Sequence, residues 1–308
     1  MTPSSFGARL VSLLVAVAVT ASSHLLCPSC EASQPESTLA DRMTQATVDT
    51  SSFWAIADAP YTDKDRKILE ARLKLLGSDV DFLVHLGDIK SGKSTCNQTV
   101  INKVDALMRL APVPVLMVIG DNEFNDCINP KTALNMWRKK FVGYYAKYWT
   151  PKFVVNQMPN RSEVFSFVNK NTLFIGLNLV GGLVHNLTEW NTRHADQLAW
   201  IKPLMLAHGS SVHSVVIFGH ADPGGNQASF INPFVVFLRE TFPKTIPVLY
   251  LCGDAHRWAN NTAYLNVPNL FRVRLTGGVT EKINKITVDP YRLGKDNSTS
   301  FQVERYLV

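Results

Sequence analysis

From Ser52 onward, short apolar runs alternate with stretches of helical periodicity. Phe53–Ala57 (FWAIA) reads as a strand. Thr62 then suits the N-cap of DKDRKILEARLKLLG, where Ile68, Leu69, Leu73, Leu75 and Leu76 form an apolar stripe and Gly77 a stop. Phe82–Leu86 is a second strand, and Val100, Ile101, Val104, Leu107 and Met108 recur at helical spacing. Val113–Ile119 (VPVLMVI) is a third strand, and Thr132–Tyr148 a further amphipathic helix carrying Trp137 and Phe141. This βαβαβ order predicts parallel strands with helices packed on the sheet.

The second half has a different rhythm. Glu163–Leu179 reads as two strands joined by an Asn-Lys-Asn turn. A helix over His194–His208 follows, with a break expected at Pro203. Then come strand Val215–Phe218, a helix starting at Asn232-Pro233, and strand Val248–Leu251. Four strand-like segments close the chain: TAYLNV, LFRVRLTG, INKITVD and FQVERYLV. Too many strands lack crossover helices for one parallel sheet. The predicted fold is α/β: a two-sheet mixed β sandwich flanked by helices. No internal repeat or low-complexity segment interrupts it.

The first fifty residues do not fit that rhythm. Arg9 precedes the apolar run Leu10–Ala21, and small and polar residues follow. This is the layout of a secretory signal peptide, and the run is shorter than the about 20 apolar residues a membrane span needs. The cut is left open between Ala21 and Ser33. The expected organisation is a signal peptide and leader over 1–32, a flexible leader over 33–51, and one catalytic-type domain over 52–308. The destination is the exterior or the endomembrane lumen, with no membrane span in the mature chain; there is no C-terminal KDEL-type retention signal.

Secretion changes how the cysteines read. Cys27 and Cys30 fall near the expected cut. Cys96 and Cys127 each follow an acidic strand end and are paired here as a disulfide, whereas Cys252, inside VLYLCG, reads as a buried thiol. Asn97, Asn160, Asn186, Asn260 and Asn297 lie in glycosylation sequons. The 308 residues are 46% hydrophobic and 18% charged, which suits a folded core and excludes a disordered chain. The net charge of +6 is scattered. That implies mild attraction to anions and no nucleic-acid-binding motif.

The candidate chemistry sits where the strands end. Phe53–Ala57 is followed by Asp58, Phe82–Leu86 by Gly87-Asp88, and Val113–Ile119 by Gly120-Asp121-Asn122-Glu123. Val215–Phe218 is followed by Gly219-His220, and Val248–Cys252 by Gly253-Asp254-Ala255-His256. An acid after one strand only begins a loop, but five polar strand ends in succession point to a site at the carboxyl edge of a sheet. Asp, Asn and His without thiolate suit Mn, Zn or Fe. So many carboxylates require cations, and their number implies two ions with one carboxylate bridging. Asp88 is the expected bridge, because its strand should be central.

The ordered set D…GD…G[ND]xE…GH…GxxH resembles the calcineurin-like metallophosphoesterase superfamily from Asp58 to beyond His256, and DQLAWI resembles the helix before that family's GH motif. The resemblance implies two divalent ions, Mn, Zn or Fe, and hydrolysis of a phosphate monoester or diester by hydroxide held between them. Asp58, Asp88 and His256 would hold one ion. Asp88, Asp121 (or Asn122, if the block slips by one), His220 and Asp254 would hold the other. The chain departs from the family pattern in four places. Pro60 replaces a ligand histidine, Asn122 stands where a histidine protonates the leaving group, and Asp254 replaces another histidine. Ser91 stands where purple acid phosphatases carry their tyrosine, so an Fe³⁺–tyrosinate site is not expected.

Asn122 can donate a hydrogen bond but no proton. Lys90 and Arg257 are candidates for holding phosphate oxygens, against the alternative of solvated loop charges. His85 reads as a core histidine and Glu123 as an orienting residue. His185, His194, His208 and His213 read as surface or helix-end residues. The substrate class expected is a small-molecule, lipid or nucleotide phosphate ester, with oligomeric state open. A non-catalytic phosphate- or metal-binding protein on the same scaffold is the rival reading.

Overall fold

The computed structural model describes residues 50–279, 283–289 and 300–306. The signal peptide and almost all of the leader, Cys27, Cys30 and the Asn297 sequon lie outside the described residues. Twelve described strands form two sheets. The first contains β1 (Ser51–Ile56), β2 (Phe82–His85), β3 (Val115–Met117), β11 (Ile283–Val288) and β12 (Phe301–Tyr306), in the order β12-β11-β1-β2-β3. The second contains β4 (Asn156–Met158), β5 (Arg161–Asn169), β6 (Thr172–Gly176), β7 (Ser214–Phe218), β8 (Val248–Cys252), β9 (Ala259–Asn261) and β10 (Leu270–Arg274), in the order β4-β5-β6-β7-β8-β10-β9.

Parallel pairing joins β1, β2 and β3, and separately β6, β7, β8 and β10. The strand ends therefore lie on two sheet edges, not on the single edge expected. In the first sheet β1 is central and Asp88 follows β2, one strand towards the edge. Each parallel strand alternates between two apolar layers, as strands buried on both faces must. Phe53, Ala55, Phe82 and Val84 point to the shared interior, where they meet Phe174, Val216, Phe218, Leu249 and Leu251 of the second sheet. Phe53 stacks on Phe82 at 4.8 Å, and Phe174 meets Phe82 edge-on at 5.2 Å.

Helices α1 (Asp63–Leu75), α2 (Gln98–Met108) and α3 (Pro130–Phe141) cover the outer face of the first sheet. Helices α4 (Leu187–His208) and α5 (Ala228–Glu240) cover the second. The result is the helix–sheet–sheet–helix layering predicted. Helix α1 starts as its sequence dictates, with Thr62 and Asp65 forming a reciprocal capping box. The β5–β6 turn places Lys170 and Asn171 at positive φ (48° and 59°), the conformation a two-residue hairpin requires.

Four local expectations need correction. The helix expected over Thr132–Tyr148 ends at Phe141, because Gly143 at φ 67° turns the chain into a separate 3₁₀ turn at Tyr144–Ala146. Helix α4 starts at Leu187 and runs unbroken through Pro203, carried by buried Ile201 and Met205 on either side. Helix α5 starts before Asn232-Pro233, since Phe230 and Ile231 are already buried in its first turn. TAYLNV is no strand: Tyr264–Asn266 is a 3₁₀ turn with Leu265 and Asn266 at positive φ. No helix among the described residues is long and apolar enough to cross a membrane.

Candidate metal centre

The loops after β1, β2 and β3 meet those after β7 and β8 at one place. Asp58, Asp88 and His220 bring ligand atoms within 4.8 Å of one another, and so do Asp121, His220 and Asp254. Histidine 220, not Asp88, is common to both groups. It is fully buried, and its Nδ1 lies 2.7 Å from the Leu86 carbonyl. That carbonyl can only accept, so Nδ1 carries a proton and Nε2 faces the site. Nε2 lies 2.8 Å from Asp121 Oδ1, 3.2 Å from Asp88 Oδ1 and 3.9 Å from Asp254 Oδ1.

His256 joins from the exposed side, with Nε2 3.4 Å from Asp58 Oδ1. Asp58 Oδ1 also accepts from the Asp254 amide at 3.1 Å, tying the two sheets together. Four of these residues have a left-handed backbone: Asp58 (φ 57°), Asp88 (59°), Asp254 (66°) and His256 (50°). Such conformations are uncommon outside glycine and persist where surrounding structure enforces them for a site. Gly87 also has positive φ (94°), and a Cβ there would come within 2.6 Å of the Gly120 amide. The Gly before Asp88 thus lets the β2 and β3 loops touch.

The residues fit a cation. Asp58 Oδ2 is buried without a hydrogen-bond partner, an expensive state for a polar atom unless something charged binds it, and the buried His220 Nε2 has only carboxylate oxygens around it. Oxygen and imidazole nitrogen form the donor set of a hard or borderline ion. Crowding shows in the proton affinities. Burial, with Asp121, Asp88 and Asp58 nearby, raises Asp254 to about 6. Burial and then Asp88 raise Glu123 to about 8. Asp88 and Asp121 overcome the burial penalty on His220 and raise it well above an ordinary histidine, while hydrogen bonding to Asp58 raises His256.

The structure distributes the predicted residues unevenly. Asp58, Asp88, Asp121, His220, Asp254 and His256 converge. Asn122 is in the cluster but is turned on Asp88: its backbone amide donates to Asp88 Oδ1 at 3.0 Å and its side-chain amide donates to Asp88 Oδ2. Lys90 is buried, and its ammonium donates to the carbonyls of Ser91 and Ser94, both at 2.9 Å. Arg257 is exposed beside His256. Glu123 accepts from the amides of Gly120 (2.6 Å), Asp88 (3.2 Å) and Ile89 (3.1 Å), so one carboxylate holds both ligand loops.

His85 is a core histidine as expected. Its Nδ1 accepts from the Gly87 amide at 3.1 Å and its Nε2 donates to Ala59 O at 2.7 Å; burial lowers it to about 4. His194 corrects the surface reading: it is buried, with Nδ1 2.7 Å from Ser229 Oγ. The Cys96–Cys127 disulfide is present, its sulfurs 3.7 and 3.6 Å from Asn122 O, and Cys252 is a buried free thiol.

Sequence reasoning missed Tyr61. Its hydroxyl donates to Asp88 Oδ2 at 3.0 Å and lies 3.1 Å from His256 Nε2. The only signal was its position one residue after Pro60, where the ligand pattern fails.

A family model described as calcineurin-like phosphoesterase matches residues 52–265. No curated protein matches the chain. Among solved structures, PhoD is similar at 12% identity and TM-score 0.51, over 83% of this chain and 68% of that one. GAP50, the anchor in the inner membrane complex of Plasmodium, is similar at 10% identity and TM-score 0.49, over 83% and 88%. Purple acid phosphatase PPD1 from yellow lupin (Lupinus luteus) seeds is similar at 12% and 0.43, over 83% and 53%. Likeness at these identities is one of fold alone.

Proposed function

The chain belongs to the calcineurin-like phosphoesterase family, and on that premise we propose that it is a secreted, dinuclear metal-dependent hydrolase of phosphate monoesters or diesters. The observation that carries the reading is the pair of carboxylate–histidine groups that share His220: Asp58, Asp88 and His220, and Asp121, His220 and Asp254, with the ligand atoms of each group within 4.8 Å of one another. Asp58, Asp88 and His256 would hold one ion; Asp88, Asp121, His220 and Asp254 would hold the other. Asn122 is bonded to Asp88 and serves as its brace, which leaves Asp121 as the ligand from the third block. Bound ions would supply positive charge for the phosphoryl oxygens and an acidified water as nucleophile.

The remaining work falls to the chain. The Leu86 carbonyl fixes the His220 tautomer and ring. Glu123 fixes the spacing between Asp88 and Asp121 through three backbone amides. Of the two candidate cations, Arg257, exposed beside His256, would meet a substrate anion, because Lys90 is engaged by its own loop. No histidine takes the Asn122 position, so the leaving group is protonated by solvent or is one that needs no proton. The N-terminal segment and the Cys96–Cys127 disulfide support the secretory route.

Hydrolysis of an aryl phosphate monoester and diester tests this, using secreted protein stripped by chelator and resupplied with Mn²⁺, Zn²⁺ or Fe²⁺. Restored activity that falls roughly 100-fold or more in Asp88→Asn supports the enzyme. Pro60 and Asn122 favour a second reading, a metal- or phosphate-binding protein without turnover. Metal uptake with no hydrolysis of either ester would select it.

A further inference from the structure

Pro60 leaves the ion held by Asp58, Asp88 and His256 with three protein ligands. The next residue fills the gap. Tyr61 Oη lies 3.0 Å from Asp88 Oδ2 and 3.1 Å from His256 Nε2, and that same nitrogen lies 3.4 Å from Asp58 Oδ1. A phenolic oxygen thus lies within hydrogen-bond distance of two of the three ligands, and one of those two, His256, also faces the third, Asp58. Its placement is built into the fold. The Tyr61 amide donates to Asp65 Oδ2 at 3.2 Å, the carboxylate that also accepts from the Thr62 amide at 2.9 Å. The capping box of α1 therefore pins the backbone that aims Tyr61 inward. Its ring packs 5.7 Å from the His256 ring.

We propose that Tyr61 is the fourth protein ligand of the Asp58, Asp88 and His256 position, and that this position selects ferric iron. The proposal rests on the metal-dependent reading of the site. A phenolate is a hard, anionic oxygen donor, and with two carboxylates it gives a donor set of three negative charges and one imidazole. Such a set favours a small trivalent ion over Mn²⁺ or Zn²⁺. When the Oη–iron bond forms, the phenolic proton leaves to solvent, and iron stays ferric throughout. A tyrosine missing at position 91, after β2, is in this way supplied from the loop after β1.

The test reads the ion directly. Full-length secreted protein is stripped with chelator and loaded with ferric citrate, and iron content is measured by elemental analysis. The expected result is a visible phenolate-to-iron charge-transfer band, with resonance enhancement of tyrosine ring modes in its Raman spectrum. Both are lost in Tyr61→Phe, which also binds iron at least about tenfold more weakly. Failure to bind ferric iron, iron-loaded protein without the band, or a band that survives in Tyr61→Phe would each overturn the assignment. The Raman measurement on the unmutated chain keeps the test independent of how the variant folds. Ester hydrolysis by the same samples, resupplied with Mn²⁺ or Zn²⁺ for the other position, separates the two readings. An active, colourless protein defeats the Tyr61 assignment alone, and a coloured, inactive one defeats the hydrolase alone.

Discussion

Removing the Glu123 carboxylate should loosen the metal centre and the fold together. Glu123 is 3% exposed and accepts three backbone amides, from Gly120, Asp88 and Ile89. In Glu123→Ala these donors lose their acceptor within the core. A buried, unsatisfied donor costs about 1–3 kcal/mol, and partial relaxation brings the total to about 3–5 kcal/mol, a large share of a domain's roughly 5–15 kcal/mol stability. Glu123→Gln keeps one oxygen, for Gly120 and Asp88, but turns an amide NH₂ towards the Ile89 donor. Its cost is about 1–3 kcal/mol. Because Asp88 and Asp121 then lose their fixed spacing, metal affinity should fall roughly 10–100-fold in the Gln variant. Urea unfolding gives the first quantity and calorimetric Mn²⁺ titration the second. An Ala variant within about 0.5 kcal/mol of the parent, with unchanged Mn²⁺ affinity, would refute the reasoning.

Metal uptake near neutral pH should release protons, since burial and neighbouring carboxylates hold Asp254 at about 6 and Glu123 at about 8 before binding. Affinity then rises with pH, and calorimetry in buffers of different ionisation enthalpy counts the protons. Acid should destabilise the fold through His85, whose folded pKa of about 4 lies below its ordinary 6.5. Above 6.5 both states are neutral; as pH falls towards 4 only the unfolded chain takes the proton, and stability drops by up to roughly 3 kcal/mol. Urea midpoints across that window should flatten in His85→Gln. Replacing both Cys96 and Cys127 by Ser opens a loop spanning 31 residues and should cost about 3–4 kcal/mol in chemical denaturation. In Gly277→Ala a Cβ would collide with the Asp58 carboxylate, and φ is 70° there, so metal binding should weaken markedly while far-UV circular dichroism stays close to the parent's.

The sequence determined what is local. Apolar runs with a sharp polar end predicted β1, β2, β3, β7 and β8, and the residues after them supply six convergent side chains. The Thr62 cap and the turn before β6 follow from residues within a few positions, so they were legible. The helix expected to reach Tyr148 stops at a local break, Gly143 at φ 67°, whereas at Pro203 and Asn232 burial against a sheet outweighs local propensity. The same limit applies to His194, whose burial depends on Ser229 of another helix.

Tertiary structure alone decided how the strand ends meet. Asp58 and the Asp254 amide are 196 residues apart, and His220 is fixed by a carbonyl 134 residues away. Those contacts arise because two separate mixed sheets pack face to face through Phe53, Phe82, Phe174 and Phe218, bringing the carboxyl ends of their parallel strands to one place. Only that packing shows that His220 faces three carboxylates, that Lys90 turns away into its own loop, and that the Tyr61 hydroxyl lies beside Asp88 and His256. A chain's pattern encodes which face of an element is apolar and where it stops. Which loop atoms then lie within 3 Å depends on the register of two sheets that share no hydrogen-bonded ladder, and no local pattern carries that register.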